Sequence, residues 1–359
     1  MKKISILHIA LVFILIANTH SDSRLLVKEN SESPPFQKDK SEPLELSLGI
    51  NIKHIEVRET KQEVRIEASL KTFWTDERIG VKDDVKFDGV ENGESYVVTS
   101  NISSVPIWIP DIFIENCVTV REPKYHTPPT SLRVYNTSKI RFNKRMNFDI
   151  SCPMNYVKYP FDTQECEVKF ESFSYLEKQL QMRWDKDQIP FICDIKLHQF
   201  EYEAIEDAYD DEDFQLEQHF EGAKLTINLS RRISSFLFQT YIPSLLLCFL
   251  GYIVLFIPPY QASGRVTLGM LTFLNLLLMG SQVRRALPSM SYETFLDVWF
   301  LFSEAFLCCL NVLSILEIIL IEKKLDRTAW KLNRLSKIII PILFAIFVAG
   351  YWVTALMWI

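Results

Sequence analysis

The sequence is short of the parts that most enzymes need. It has no nucleophile–base set, no compact zinc-ligand spacing and no phosphate-cradling glycine loop, and it holds only 6 histidines and 10 glycines in 359 residues. An enzyme is therefore not expected, no cofactor is implied, and no metal site is read from the spacing. A basic excess is also missing. The 39 Lys and Arg stand against 45 Asp and Glu, a net charge of −6, which leaves no basic face for nucleic acid. From Glu201 to Glu221 cations vanish altogether, with ten acidic residues and no Lys or Arg. Such a run reads as a solvated loop. The sharper alternative is a proton or divalent-cation sensor, because crowded carboxylates raise each other's pKa and His219 sits among them.

What is abundant is apolar character, 48% of the chain, gathered in its last third. Phe236 to Ile257 would span about 33 Å as a helix, enough for a bilayer core of about 30 Å. Val266 to Val283, Phe295 to Ile321 and Ile338 to Trp358 read as three further spans. Pro243 is expected to kink the first. Tyr351, Trp352 and Trp358 mark an interface. The connection 322–337 carries Lys323, Lys324, Arg327, Lys331, Arg334 and Lys337 against Glu322 and Asp326. The positive-inside rule places this short loop in the cytoplasm and both termini outside, as in a multi-pass protein of the plasma membrane. Asp297, Glu304 and Glu317 are costly in lipid and must face helices, water or the interface.

The beginning of the chain reads as a signal peptide over 1–22. Lys2 and Lys3 precede an apolar core from Ile4 to Ala17, too short to cross a bilayer. Residues 24–42, with Pro34 and Pro35, read as a disordered or loosely docked leader. From Leu44 the pattern alternates: Ile50, Ile52, Ile55, Val57, Val64, Ile66 and Ala68 sit between polar neighbours, as in half-buried strands. Short strands of this kind recur to about Leu229 and predict a β-sandwich domain over 23–232, ahead of a four-helix membrane domain over 233–359. Asn101, Asn136 and Asn228 each open an Asn-x-Ser/Thr glycosylation motif. Of the seven cysteines, Cys248, Cys308 and Cys309 lie in apolar spans and read as packing thiols. Cys117 and Cys193 are either bridged to each other or free.

Cys152 and Cys166 frame Pro153-Met154-Asn155-Tyr156-Val157-Lys158-Tyr159-Pro160-Phe161-Asp162-Thr163-Gln164-Glu165. This segment resembles the signature loop of the Cys-loop receptors, the pentameric ligand-gated ion channels. Other segments share the resemblance: Trp74-Thr75-Asp76-Glu77-Arg78, Trp108-Ile109-Pro110-Asp111, Glu171-Ser172-Phe173-Ser174-Tyr175, Gln239-Thr240-Tyr241-Ile242-Pro243-Ser244 and Arg265-Val266-Thr267-Leu268-Gly269. The last three are in the style of the GABA- and glycine-receptor anion-channel branch. The adjacent cysteines of principal nicotinic subunits are absent. The resemblance implies a Cys152–Cys166 bridge, which closes a loop worth about 3 kcal/mol.

The resemblance further implies an agonist site between subunits. Its principal face would hold Phe113, Glu115, Glu171, Phe173 and either Phe214 or Phe220. Its complementary face would hold Lys71, Asn143 and Arg145. A cation over an aromatic ring and a carboxylate held by Lys71 suit a zwitterionic amino acid or an amine. Ser69 stands where many relatives carry an aromatic residue, so an accessory subunit needing a related partner is the first rival reading. The second span would line the pore. Thr267, Leu271, Leu274, Leu278 and Gln282 recur at spacings of four, three, four and four on one helix face. Leu274 would be the central gate, closing by dewetting. At the inner end Gly264 replaces the Glu of cation-selective relatives, and Arg265 is open to either lumen or bundle. With Arg284 and Arg285 at the outer mouth, chloride is expected to pass, with cation conduction as the alternative. Tyr159, Pro160, Asp162, Arg231 and Pro288 would couple the two domains. The implied assembly is a homo- or hetero-pentamer in a lipid bilayer, passing inorganic ions, with a postsynaptic setting in view.

Overall fold

The alternation from Leu44 does produce strands. The computed structural model describes residues 24–28, 31–35, 43–82, 85–91, 93–99, 102, 105–123, 128–185, 191–192, 197, 199–213 and 218–358; for 191–192, 206–213 and 218–221 it describes the backbone alone. The strands are β1 (Leu25–Val27), β2 (Leu44–Arg58), β3 (Glu63–Thr75), β4 (Ile79–Val81), β5 (Gly89–Glu91), β6 (Glu94–Thr99), β7 (Ile112–Ile114), β8 (Cys117–Arg121), β9 (Thr130–Tyr135), β10 (Lys139–Ser151), β11 (Thr163–Ser172), β12 (Leu180–Trp184), β13 (Phe191–Ile192), β14 (Phe200–Asp213) and β15 (Gln218–Arg231).

Two sheets face each other. The larger has nine strands in the order β12-β2-β3-β10-β9-β6-β5, with β13 on β2 and β8 on β10. The smaller orders its four strands β14-β15-β11-β7. Period-two burial fixes which side meets the core. On β3, Val64, Ile66, Ala68, Leu70 and Trp74 are sealed, as are Ile140, Met146, Phe148 and Ile150 on β10. Val168 and Phe170 of β11 and Leu225, Ile227 and Leu229 of β15 are buried in the other sheet. Trp184 packs edge-on to Phe170 at 5.9 Å and donates its indole N–H to the Lys224 carbonyl at 3.0 Å.

One open reading is resolved and one expectation needs correction. The leader is docked at its start: Leu25-Leu26-Val27 is apolar enough to pair with β4, Leu25 is buried, and the Ser31 carbonyl accepts from Trp108 at 2.7 Å. The acidic stretch is not a loop: β14 and β15 form a hairpin paired as far as Asp213 opposite Gln218. The proposed signal segment, Asn101, Cys193 and Phe214 lie outside the described residues, as do the side chains of Phe220 and His219.

Four helices are long and apolar enough to cross a membrane: α1 (Ser234–Phe256), α2 (Ala262–Arg285), α3 (Phe295–Glu322) and α4 (Asp326–Leu356). A π-helical turn, Leu237–Tyr241, leads into Pro243, where the missing N–H and the ring leave no room for regular hydrogen bonding. The basic residues expected in the 322–337 loop are mostly helical, because α4 begins at Asp326. Lys and Arg are good helix formers, and their charges fit the water-exposed first turns of a spanning helix. α3 opens on a capping box, Thr294 accepting from the Asp297 N–H at 3.1 Å and Asp297 from the Thr294 N–H at 3.0 Å. Aromatic side chains fasten α4. The Tyr241 and Tyr351 hydroxyls meet at 2.7 Å, Phe295 stacks on Tyr351 at 4.1 Å, and Phe302 on Phe347 at 3.6 Å.

Candidate functional site

The Trp-x-Asp-x-Arg segment folds as a closed clamp. Arg78 donates from Nε and Nη2 to the buried Asp76 carboxylate, each at 2.8 Å. Next to it, Trp74 meets Trp108 edge-on at 6.0 Å, and Trp108 meets Tyr175 at 5.9 Å.

On the small sheet, pairing of β7 with β11 sets Phe113 opposite Glu171. Phe113 and Phe173 form an edge-to-face pair at 5.8 Å, and Phe173 is 77% exposed. Asp111 orients the turn by accepting from the Ser172 hydroxyl at 2.7 Å. Glu171 is buried beside this pair, whereas Glu115 is exposed and lies 3.7 Å from Lys169.

On the large sheet, β3–β10 pairing sets Lys71 opposite Asn143 and Ser69 opposite Arg145. These residues point away from the core, since their neighbours Leu70, Ala68 and Met146 point into it. So the structure gathers the expected residues into two groups, one on each sheet, and does not join the groups within one chain.

The sequence reading missed an anchor beside Lys71. Glu91 accepts from Tyr135 at 2.5 Å, from Arg133 at 2.8 Å and from Arg141 at 2.6 Å. Arg133 and Arg141 also lie over the rings of Tyr96 and Phe73, at 4.6 and 5.7 Å. Burial works against the Glu91 charge, but the Tyr135 hydroxyl and the Arg141 and Arg133 guanidiniums outweigh it and hold the carboxyl below its ordinary range. Burial, reinforced by the like charge of Arg141, lowers the Lys71 pKa, with Glu91 opposing. Only the cationic half left a trace in the sequence: Arg141 and Arg145 fall on one face of β10, and strand pairing sets Arg133 of β9 opposite Arg141.

Between the domains, Cys152 and Cys166 are bridged with Cα atoms 5.2 Å apart, and the Tyr159–Pro160 peptide is cis. Arg231, the last residue of β15, donates to Asp162 at 2.7 and 3.1 Å and to Glu59 at 2.6 Å. Its guanidinium also covers Tyr159 at 4.6 Å and Phe200 at 4.7 Å. Burial would lower the Arg231 pKa, but Asp162 and Glu59 overcome it and hold the group firmly charged. The bridged loop then grips the helices. Val157 and Tyr159 carbonyls accept from the Phe295 and Leu296 N–H groups at 3.0 and 3.1 Å, and the Tyr156 N–H reaches the Tyr292 hydroxyl at 3.1 Å. Phe161 touches Phe295 and Trp352, at 5.9 and 6.3 Å. A cavity of about 710 Å³, lined in part by Glu59, Tyr159, Arg231, Gln239 and Val283, opens beside this contact. Pro288 lines a separate recess with Leu287, Met290 and Tyr292.

In the membrane domain α2 has two faces. Thr267, Leu271, Leu274, Leu278 and Gln282 are all exposed, as is Gly264. Arg265, Gly269, Thr272, Leu276 and Gly280 are buried against the bundle. Of the two placements left open for Arg265, lumen or bundle, the single protomer shows the bundle. Arg265 is wholly buried and 2.6 Å from Glu317 of α3, away from the stripe. At the other end of α2, Arg284 pairs with Asp297 at 2.8 Å. Between these ends, Asn311 donates to the Gly269 carbonyl at 3.1 Å, and Phe300 and Glu304 lie against Gly280. Small residues let the two helices approach closely.

Of the glycosylation motifs, Asn136 lies in the exposed turn between β9 and β10, whereas Asn228 is half-buried inside β15, between β11 and β14. Cys117 is a free, half-buried thiol.

Comparison with known proteins covers most of this architecture. Residues 20–233 match the family described as neurotransmitter-gated ion-channel ligand binding domain, and residues 240–328 match its transmembrane region. The human gamma-aminobutyric acid receptor subunit epsilon is 28% identical over 249 residues, 69% of this chain and 47% of the relative. The gamma-aminobutyric acid receptor subunit beta of Lymnaea stagnalis is 27% identical over 72% of this chain and 52% of the relative. A glutamate-gated chloride channel of Drosophila melanogaster is 25% identical over 68% and 52% respectively. The chain spans about half the length of the curated relatives it matches.

Proposed function

Because this chain belongs to the neurotransmitter-gated ion-channel family, the Cys-loop receptors, we propose that it is a subunit of a pentameric channel whose α2 helices line a chloride-conducting pore. The single observation that carries the reading is the exposed stripe Thr267, Leu271, Leu274, Leu278 and Gln282 on a helix whose opposite face is packed. Five copies around an axis would cover that stripe and form leucine rings that exclude water until they widen. Gly264 supplies no acidic ring. Arg284 is engaged by Asp297, so the exposed Arg285 carries the positive outer ring that draws anions.

The agonist site is completed by two copies, the Phe113–Phe173 corner of one meeting the Lys71–Asn143–Arg145 face of the next. A small zwitterion fits, its amine over the aromatic corner near Glu171 and its carboxylate toward the basic face. Binding favours opening only if it differs between closed and open states, and the Arg231–Asp162 contact lies where that difference must pass.

The test is two-electrode recording from cells expressing the chain, screened with amino acids, amines, pH steps and Zn²⁺, followed by chloride replacement. A current whose reversal follows chloride supports the reading. A current indifferent to chloride, or a Gly264→Glu variant with unaltered reversal, counts against it.

A further inference from the structure

Arg265 and Glu317 are the most deeply buried ion pair among the described residues of the helices. Both side chains are 0% exposed in the single protomer, and Nη2 lies 2.6 Å from Oε2. The contact is an ion pair by distance alone: none of Nε, Nη1 and Nη2 of the arginine and neither carboxylate oxygen of the glutamate makes a hydrogen bond among the described residues. Each charge therefore answers mainly to the other. Lys337 of α4 also acts electrostatically on Glu317, with its ammonium over the Phe256 ring at 4.6 Å. Arg265 is the only basic residue in the first turns of α2, and its neighbour Gly264 is exposed, with nothing within 4 Å of where a Cβ would stand.

We propose that Glu317 is a positioning residue for conduction. It draws Arg265 into the bundle and neutralises it there, so that the inner end of the pore presents Gly264, without charge or bulk, in place of a ring of guanidiniums. The proposal rests on the pore reading above. It assigns a role to a carboxylate that the mechanism otherwise leaves unused, and it explains why so costly a group persists at membrane depth. Removing Glu317 would leave an uncompensated cation beside Gly264 in every subunit of the ring.

The chain with Gly264→Cys, the parent for this test, would be labelled in inside-out membrane vesicles by two methanethiosulfonate reagents, one cationic and one anionic. Labelling does not require current. Adding Glu317→Gln should shift the ratio of rates toward the anionic reagent by about three- to tenfold, as expected for unit charges at this range in a partly aqueous setting. Arg265→Gln with Glu317→Gln should return the ratio to within about twofold of the parent, since neither charge remains. The exchange Arg265→Glu with Glu317→Arg keeps the pair and should keep both assembly and the parental ratio. An unchanged ratio on adding Glu317→Gln overturns the proposal, as does failure of the exchanged pair to assemble. A Gly264→Cys parent that does not label overturns it as well. A parallel Leu278→Cys variant separates the causes. If Leu278→Cys labels while Gly264→Cys does not, the pore reading stands and this inference falls. If neither variant labels, the pore reading itself falls.

Discussion

Arg231 and Asp162 meet through two parallel hydrogen bonds, 2.7 Å from Nε and 3.1 Å from Nη2, with both side chains sealed from solvent. The arginine ends β15 immediately before α1, and the aspartate belongs to the bridged loop that rests on α3. One contact thus ties the smaller sheet, the loop and the start of the first helix. Replacing Arg231 by Gln leaves the buried Asp162 carboxylate unmatched and the half-buried Glu59 without its guanidinium, at a cost of about 3–5 kcal/mol. The expected outcome is loss of the protein from the cell surface. Surface biotinylation measures it, and normal surface levels with normal currents would show that the pair is dispensable.

Gly269 is where α2 and α3 crowd each other. A Cβ there would collide with Asn311 Oδ1, and Asn311 cannot swing freely because its amide donates to the Gly269 and Leu307 carbonyls. Gly269→Ala should destabilise the protein by about 1–3 kcal/mol through overpacking. Adding Asn311→Ala should recover part of that loss. Thermal unfolding of the purified single and double variants measures both, and strictly additive losses would refute the contact.

Leu274 stands mid-stripe with its side chain 53% exposed in the protomer. A hydroxyl there eases wetting of an apolar constriction. Leu274→Ser should raise resting current or move the agonist response to lower concentration. A dose response superposable on the parent would place the gate elsewhere.

Asp149 should make the β domain acid-sensitive. The hydrogen bond from Arg65, at 2.7 Å, holds its carboxyl below the ordinary range against the effect of burial, with further help from Thr119 and the other arginines. A depressed folded-state pKa means stability that is present above the unfolded value of about 3.9 and lost as pH falls through the folded value. Melting temperature recorded from about pH 6 downward, through the carboxylate range, should fall more steeply in the parent than in Asp149→Asn. Parallel curves would show that the carboxylate contributes nothing to the acid limb.

Much of this molecule could be read from the chain. The spans were legible because length and apolarity are local properties, and the α2 stripe because its spacing matches the helical turn. Lys71, Asn143 and Arg145 came from resemblance, and strand pairing put them on one face. Other features were not legible, for physical reasons. Which carboxylate answers Arg265 depends on how α3 returns past α2, and nothing near residue 265 marks Glu317. The Glu91 anchor joins β5 to β9 and β10, strands that pair only through the fold. The leader looked polar because the run Leu25-Leu26-Val27 is too short to show a period, yet one edge strand suffices to hold it.

The Trp352–Phe161 contact carries a consequence for the surroundings of the protein. α4 has broad exposed apolar surfaces, and Trp352 lies close to its far end, against the very loop that Arg231 anchors. Bilayer thickness biases the tilt of such a helix. A change in acyl length is therefore expected to load the Trp352–Phe161 contact and, through the bridged loop, the Arg231–Asp162 pair, so that bilayer composition becomes a variable in any test of that pair.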